Sequence, residues 1–157
     1  MKKIFFMVAL FATVFVQHSV AQDSTKTQPS PLLTSYYNLK DALVSSSATV
    51  AAASAAELAK VLNEADKKTV KDERRNALLS DVTAISQTKD LKVQRERFAN
   101  LSTNMFAIAK TVQLSTEPVY QQYCPMKKAS WLSNSKAIKN PYYGSAMLTC
   151  GNVKETL

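Results

Sequence analysis

Hydrophobic positions recur along most of this chain at the spacing of helices packed on one side. Leu32, Tyr36, Leu39 and Leu43 share one helical face, so a first helix is predicted from Pro31 to about Val44, with Ser30 as its N-cap. Ser46 and Ser47 can cap a second, from about Ala48 to Ala65, rich in alanine and carrying Leu58, Val61 and Leu62 near its end. Alanine has the best helix propensity and lets helices approach closely. Thr69 followed by Asp72 resembles a capping box and opens a third helix with Ala77, Leu78, Val82 and Ile85 inward. Asp90 can cap the fourth and longest. There Leu91, Phe98, Leu101, Met105, Ile108 and Val112 form a core stripe at steps of three, four or seven. Met105 and Phe106 read as core and flank of that stripe, not as part of a cofactor box.

Glycine and proline sharpen the division. Between Pro31 and Pro118 lie 86 residues with neither, so the punctuation of hairpins is missing and helices are favoured. Short polar links between the segments imply antiparallel neighbours, and the fold class expected is mainly α, a four-helix up-down bundle. After Pro118 the composition changes. Tyr120, Tyr123, Trp131, Tyr142 and Tyr143 crowd into residues 118–157, with turn signals at Ser133-Asn134-Ser135 and Asn140-Pro141-Tyr142-Tyr143-Gly144. Val119–Cys124 reads as a short strand and Met147–Val153 as a second. An aromatic-rich tail or short β-hairpin this small must pack on the helices, because it cannot fold alone.

The N-terminus bears on compartment. Lys2 and Lys3 precede an apolar stretch from Ile4 to Val16, and Ser19-Val20-Ala21 supplies the small residues a signal peptidase reads. The stretch is too short to span a ~30 Å hydrocarbon core comfortably. Residues 1–21 therefore read as a cleaved signal peptide, residues 22–30 as a flexible polar lead-in and residues 31–157 as one helical domain, periplasmic or secreted. The residue after Ala21 is Gln22, not the cysteine of a lipoprotein. Contact with a membrane is expected only through an uncleaved signal.

Cleavage would remove His18, the one histidine in the chain. Without an imidazole there is no Ser-His-Asp or Cys-His nucleophile and no histidine metal ligand. No pair of Lys, Glu or Tyr stands out by spacing, and Cys124-Pro125-Met126-Lys127 is not a redox Cys-x-x-Cys. The chain is not expected to be an enzyme.

Soft sulfur is the conspicuous chemistry that remains. Cys124, Met126, Met147 and Cys150 lie in two clusters of the tail. Two thiolates and two thioethers form a set suited to Cu(I), and less well to Zn(II). In an extended segment Cys124 and Met126 point to the same side; in a helical turn Met147 and Cys150 share a face. The alternative is a disulfide between Cys124 and Cys150, worth about 3–4 kcal/mol in the loop-entropy account. Two cysteines in an exported protein form a disulfide more often than a metal site. A site that holds metal only when its thiols are reduced reconciles the two.

The tail's succession of Tyr123-Cys124-Pro125-Met126, Trp131-Leu132-Ser133, Ile138-Lys139-Asn140-Pro141-Tyr142-Tyr143-Gly144 and Met147-Leu148-Thr149-Cys150-Gly151 resembles an uncharacterised bacterial exported domain family. Upstream, Tyr36-x-x-Leu39-Lys40-x-Ala42-Leu43 and Gln94-Arg95-x-x-Phe98-x-x-Leu101-Ser102 are similar to its helical signatures, so the likeness runs from about Leu33 to Leu157. That family, a domain of unknown function, also occurs fused to periplasmic adaptor subunits of copper and silver efflux pumps. The resemblance thus implies metal handling by context, with a metal-efflux adaptor or another periplasmic protein as partner. One departure is the loop before Trp131. In the family pattern it is longer and carries glycine, whereas here it is only Lys127-Lys128-Ala129-Ser130.

Net charge is +8, and the tail holds Lys127, Lys128, Lys136, Lys139 and Lys154 against Glu155. Such a basic edge suits an acidic partner or an anionic surface, though solubility explains it as well. No groove-reading motif is present and nucleic acid is not an expected partner. The run Lys67-Lys68 through Arg74-Arg75, interleaved with Asp72 and Glu73, reads as a solvated face, and Arg95 as needing only water or a neighbouring helix.

Overall fold

A computed structural model describes residues 29–157. The expected signal peptide, residues 1–21, and most of the expected lead-in lie outside the described residues. Four helices come first: α1 Pro31–Val44, α2 Ala48–Glu64, α3 Asp72–Ser86 and α4 Leu91–Ala109. Each packs on the next in the chain. Leu33, Tyr36, Leu39, Leu43, Leu58, Leu62, Leu78, Val82, Ile85, Phe98, Leu101 and Met105 are sealed in one core. Leu91 and Val112 only flank it, and Ala77 is exposed on the outer face of α3. Among the described residues no helix is long and apolar enough to cross a membrane.

The caps stand at the expected sites of three helices, with a side-chain bond at two of them, and depart from the expected site at α3. Ser30 Oγ accepts from the Leu33 amide at 3.3 Å, and an Asp90 carboxylate oxygen accepts from the Lys92 amide at 2.8 Å. Each satisfies an otherwise orphaned donor of a first turn. Ser47 precedes α2 without a side-chain bond, while Ser46 takes a left-handed φ of 56° in the turn between α1 and α2. Thr69 caps nothing: α3 begins at Asp72 after Lys71, because residues 66–70 close a turn in which the Thr69 and Val70 amides donate to the Asp66 carbonyl.

Arg75 corrects the reading of the charged run. Its guanidinium donates to the carbonyls of Leu62 (2.8 Å), Asn63 (3.2 Å), Ala65 (2.7 Å) and Val70 (3.1 Å). Those of Leu62, Asn63 and Ala65 belong to the end of α2, so one fork-shaped cation satisfies three carbonyls of that terminus. Lys67, Lys68, Lys71, Asp72 and Glu73 are exposed, as with the 2.8 Å Lys67–Asp72 ion pair, while Arg74 is half-buried and Val70 lies in the core.

The tail forms a three-stranded antiparallel sheet, β1 Tyr120–Cys124, β2 Ala129–Ser133 and β3 Asn152–Thr156, in the order β2-β1-β3. The first strand stands where it was expected, one residue shorter. The second cluster does not form the expected strand from Met147: a 3-10 turn occupies Gly144–Met147, and β3 starts only at Asn152. The partner of β1 in the hairpin is β2, a strand the sequence did not announce. A connection of four residues, 125–128, reverses the chain, and Lys128 supplies the left-handed φ of 56° that a glycine would ordinarily provide.

Aromatic rings join the tail to the helices. Tyr36 stacks on Phe98 with centroids 5.3 Å apart, Phe98 meets Tyr142 at 6.0 Å, and Tyr142 meets the edge of Trp131 at 5.9 Å. The Tyr36 hydroxyl lies 2.8 Å from Ser102 Oγ and accepts from the Leu132 amide at 3.1 Å. One buried hydroxyl therefore ties α1 and α4 to β2, and the hydrogen bonds it makes offset the cost of its burial.

Candidate functional site

Cys124 closes β1 and is fully buried; Cys150 follows the 3-10 turn and is half-buried. Their sulfurs lie 3.2 Å apart. The two sulfur clusters of the sequence thus converge at the two cysteines. Met126 instead sits on the hairpin connection with 65% of its surface exposed, and Met147 is half-buried in the 3-10 turn. Among the described residues no three His, Cys, Asp or Glu side chains form a cage for a metal ion.

Asn140 holds the second cysteine in place. It is completely buried, and its side-chain amide donates to the Cys150 carbonyl at 2.7 Å. Its backbone amide donates to the Leu148 carbonyl at 2.8 Å and its carbonyl accepts from the Gly144 amide at 3.1 Å. Its side-chain oxygen accepts from the Tyr142 amide at 2.8 Å. A single residue therefore closes the loop 140–150 on itself. Gly151 allows the next step: a Cβ there would lie 2.9 Å from Trp131 Cη2 and 3.0 Å from the Tyr123 carbonyl oxygen. The chain can pass this close to the indole only without a side chain.

Arg95 anchors the far end of the same loop. It donates to the Pro141 carbonyl at 3.0 Å, the Leu43 carbonyl at 3.2 Å and Ser46 Oγ at 2.8 Å. The neighbouring helix expected as its partner is α1, and the carbonyl of Pro141 in the tail is a further partner that was not expected. Its charge is spent on carbonyls from α1 and the tail, both packed beside α4. Gly144, with φ +55°, sits against Ser46 Oγ and 2.9 Å (measured from a Cβ built there) from the Arg95 guanidinium.

The two thiols have unequal environments. Burial pushes Cys124 up, but the Lys127 amide, the Cys150 thiol, the Asn140 side chain and the Met126 amide together hold it below the ordinary thiol range. Cys150 is raised, first because its thiol donates to Cys124 and then by burial. The pair thus favours a thiolate on the buried sulfur and a proton on the outer one. A buried thiolate within reach of amide donors is the form that coordinates metals and leaves in exchange reactions.

The fold and site together describe a helical domain carrying a small sheet, where Cys124 at the end of the central strand meets Cys150 on the adjoining loop. A family profile for a protein of unknown function, DUF3347, matches residues 32–117, more than half of the chain, and the chain belongs to that family. The match spans the four helices and ends before Pro118, so the sulfur-bearing tail lies beyond it. No curated protein and no solved structure matches the chain.

Proposed function

We propose that this is an exported accessory protein that binds a soft metal, Cu(I), through Cys124 and Cys150, with Met126 and Met147 as further sulfur donors. It acts by coordination and transfer, not by turnover, and its partner is a metal-efflux adaptor or another periplasmic protein. The observation that carries this reading is the 3.2 Å approach of two sulfurs from separate segments, one of them favoured as a thiolate. Two tetrahedral metal–sulfur bonds of ~2.3 Å set their sulfurs about 3.8 Å apart, so the pair need open only slightly to admit an ion. Thioethers on the flanking segments match the softness of that ion.

Competition of the reduced protein with a Cu(I) chelator tests the reading. Wild type should hold one Cu(I) per chain. Cys124→Ser should abolish binding, and Met126→Leu/Met147→Leu should weaken it by tenfold or more. Binding by wild type no tighter than by the methionine double variant would remove the thioethers from the site.

The same 3.2 Å distance favours a second reading, a disulfide-stapled helical interaction module with no metal. Free-thiol counts on protein taken from its exported compartment separate the two: none as isolated, with no Cu(I) uptake after reduction, supports the staple.

A further inference from the structure

We propose that Cys124 and Cys150 form a thiol–disulfide exchange site that opens from the Cys150 side, with Cys124 as the buried leaving group and a dithiol reductant as the exchange partner. This extends the metal reading, since only the reduced pair offers thiolates, but it rests on the two cysteines alone.

Access decides which sulfur is attacked. Exchange requires a thiolate to approach one sulfur of the disulfide along the S–S axis. Cys124 has no exposed surface: β1 is the central strand of the sheet and the loop 140–150 covers the end where Cys124 stands. Cys150 lies on that loop and is partly exposed. Its neighbour Thr149 is exposed as well, so the approach lies on that side, away from Gly151, which packs against Trp131.

A disulfide with one accessible sulfur and one fully buried sulfur is opened in one direction, with the buried sulfur leaving.

The electrons balance in two steps. A partner thiolate attacks Cys150 Sγ; a partner–Cys150 bond forms, the Cys150–Cys124 bond breaks, and its electron pair leaves on Cys124 as thiolate. The partner's second thiol gives up its proton and attacks the partner sulfur of the mixed disulfide. Cys150 is released as a thiolate and takes up that proton. The partner dithiol is thereby oxidised to a disulfide, and the pair is reduced by two electrons.

The test uses metal-free wild-type protein oxidised with diamide, so it does not depend on Cu(I) binding. Oxidised protein is mixed briefly with reduced glutathione, quenched in acid and mapped by peptide mass spectrometry. Glutathione should be found on Cys150 over Cys124 by at least tenfold, and the ratio should fall to about one in 6 M guanidinium. Equal labelling in the native protein, preference for Cys124, or failure of diamide to join the two cysteines would overturn the proposal. Cys124→Ser and Cys150→Ser, each checked by circular dichroism, provide a second measurement with glutathione disulfide. Native Cys124→Ser should be glutathionylated at least tenfold faster than Cys150→Ser, and comparable rates would again overturn it. A chain that passes these tests and takes up no Cu(I) would sink only the metal reading.

Discussion

The side-chain amide of Asn140 donates a 2.7 Å hydrogen bond to the carbonyl of Cys150, ten residues away across a closed loop. Asn140 is fully buried and the bond itself partly so, and a donor removed here leaves the Cys150 carbonyl unpaired. Asn140→Ala should destabilise the reduced protein by about 1–3 kcal/mol, read as a lower urea midpoint. Asn140→Asp should cost more than Ala, because a carboxylate would face the Cys150 carbonyl and the Cys124 sulfur. An aspartate variant as stable as wild type would remove this residue from its assigned role.

Absorbance near 240 nm, followed against pH in the reduced protein, should show two separated thiolate steps. The first proton leaves below the ordinary thiol value of about 8.5 and the second above it. The lowered Cys124 value contributes stability that is present above the unfolded thiol pKa and lost as pH falls through the folded one. The raised Cys150 value acts oppositely: its contribution is present below the unfolded value and lost as pH rises through the folded one. One unresolved step at the ordinary value would show that the sulfurs do not interact.

Oxidation should raise the stability of the chain by about 3–4 kcal/mol over its reduced form, through loss of freedom in the unfolded loop between residues 124 and 150. Denaturant titrations with and without a reductant measure the difference. Trp131, the one tryptophan of the chain, lies against Gly151 beside Cys150. Its fluorescence should change on oxidation and on Cu(I) binding, and should stay unchanged on Cu(I) addition to Cys124→Ser/Cys150→Ser.

Arg95→Met should unmoor the loop from the helices. Three acceptors lose a charged donor, and the expected loss is about 2–3 kcal/mol. Hydrogen exchange of the residue 140–150 amides should rise more than that of α2 or α3. Uniform acceleration throughout would mean that Arg95 supports only the global fold. Gly144→Ala should act on the same contact, because a Cβ at φ +55° would collide with Ser46 Oγ and the Arg95 guanidinium.

The helices were legible because their signals are local. Pro31 marks an end by its fixed backbone, Ser30 and Asp90 mark ends by side-chain oxygens that cap the next turn, and the stripe from Phe98 to Ile108 marks a face by period. The misses fall where distant partners decide. Thr69 and Asp72 have the spacing of a capping box, but a turn anchored on Asp66 claims Thr69 first. Arg75 and Arg95 look like surface charges in one dimension and become ties between segments in three. β2 was hidden because Lys128, not glycine or asparagine, makes the turn before it.

By itself the sequence determined four helices, an aromatic tail beyond Pro118 and two clusters of sulfur, since periodicity, capping and composition are properties of neighbouring residues. Tertiary structure alone decided which sulfurs meet. Cys124 and Cys150 stand 26 residues apart, and a β-hairpin turned by Lys128, a loop closed by Asn140 and a glycine passing Trp131 bring them to 3.2 Å. Met126, two residues from Cys124, is left largely exposed on the hairpin. Proximity along the chain fixed neither outcome, because the position of each sulfur depends on strand register and on a loop whose ties come from elsewhere in the fold.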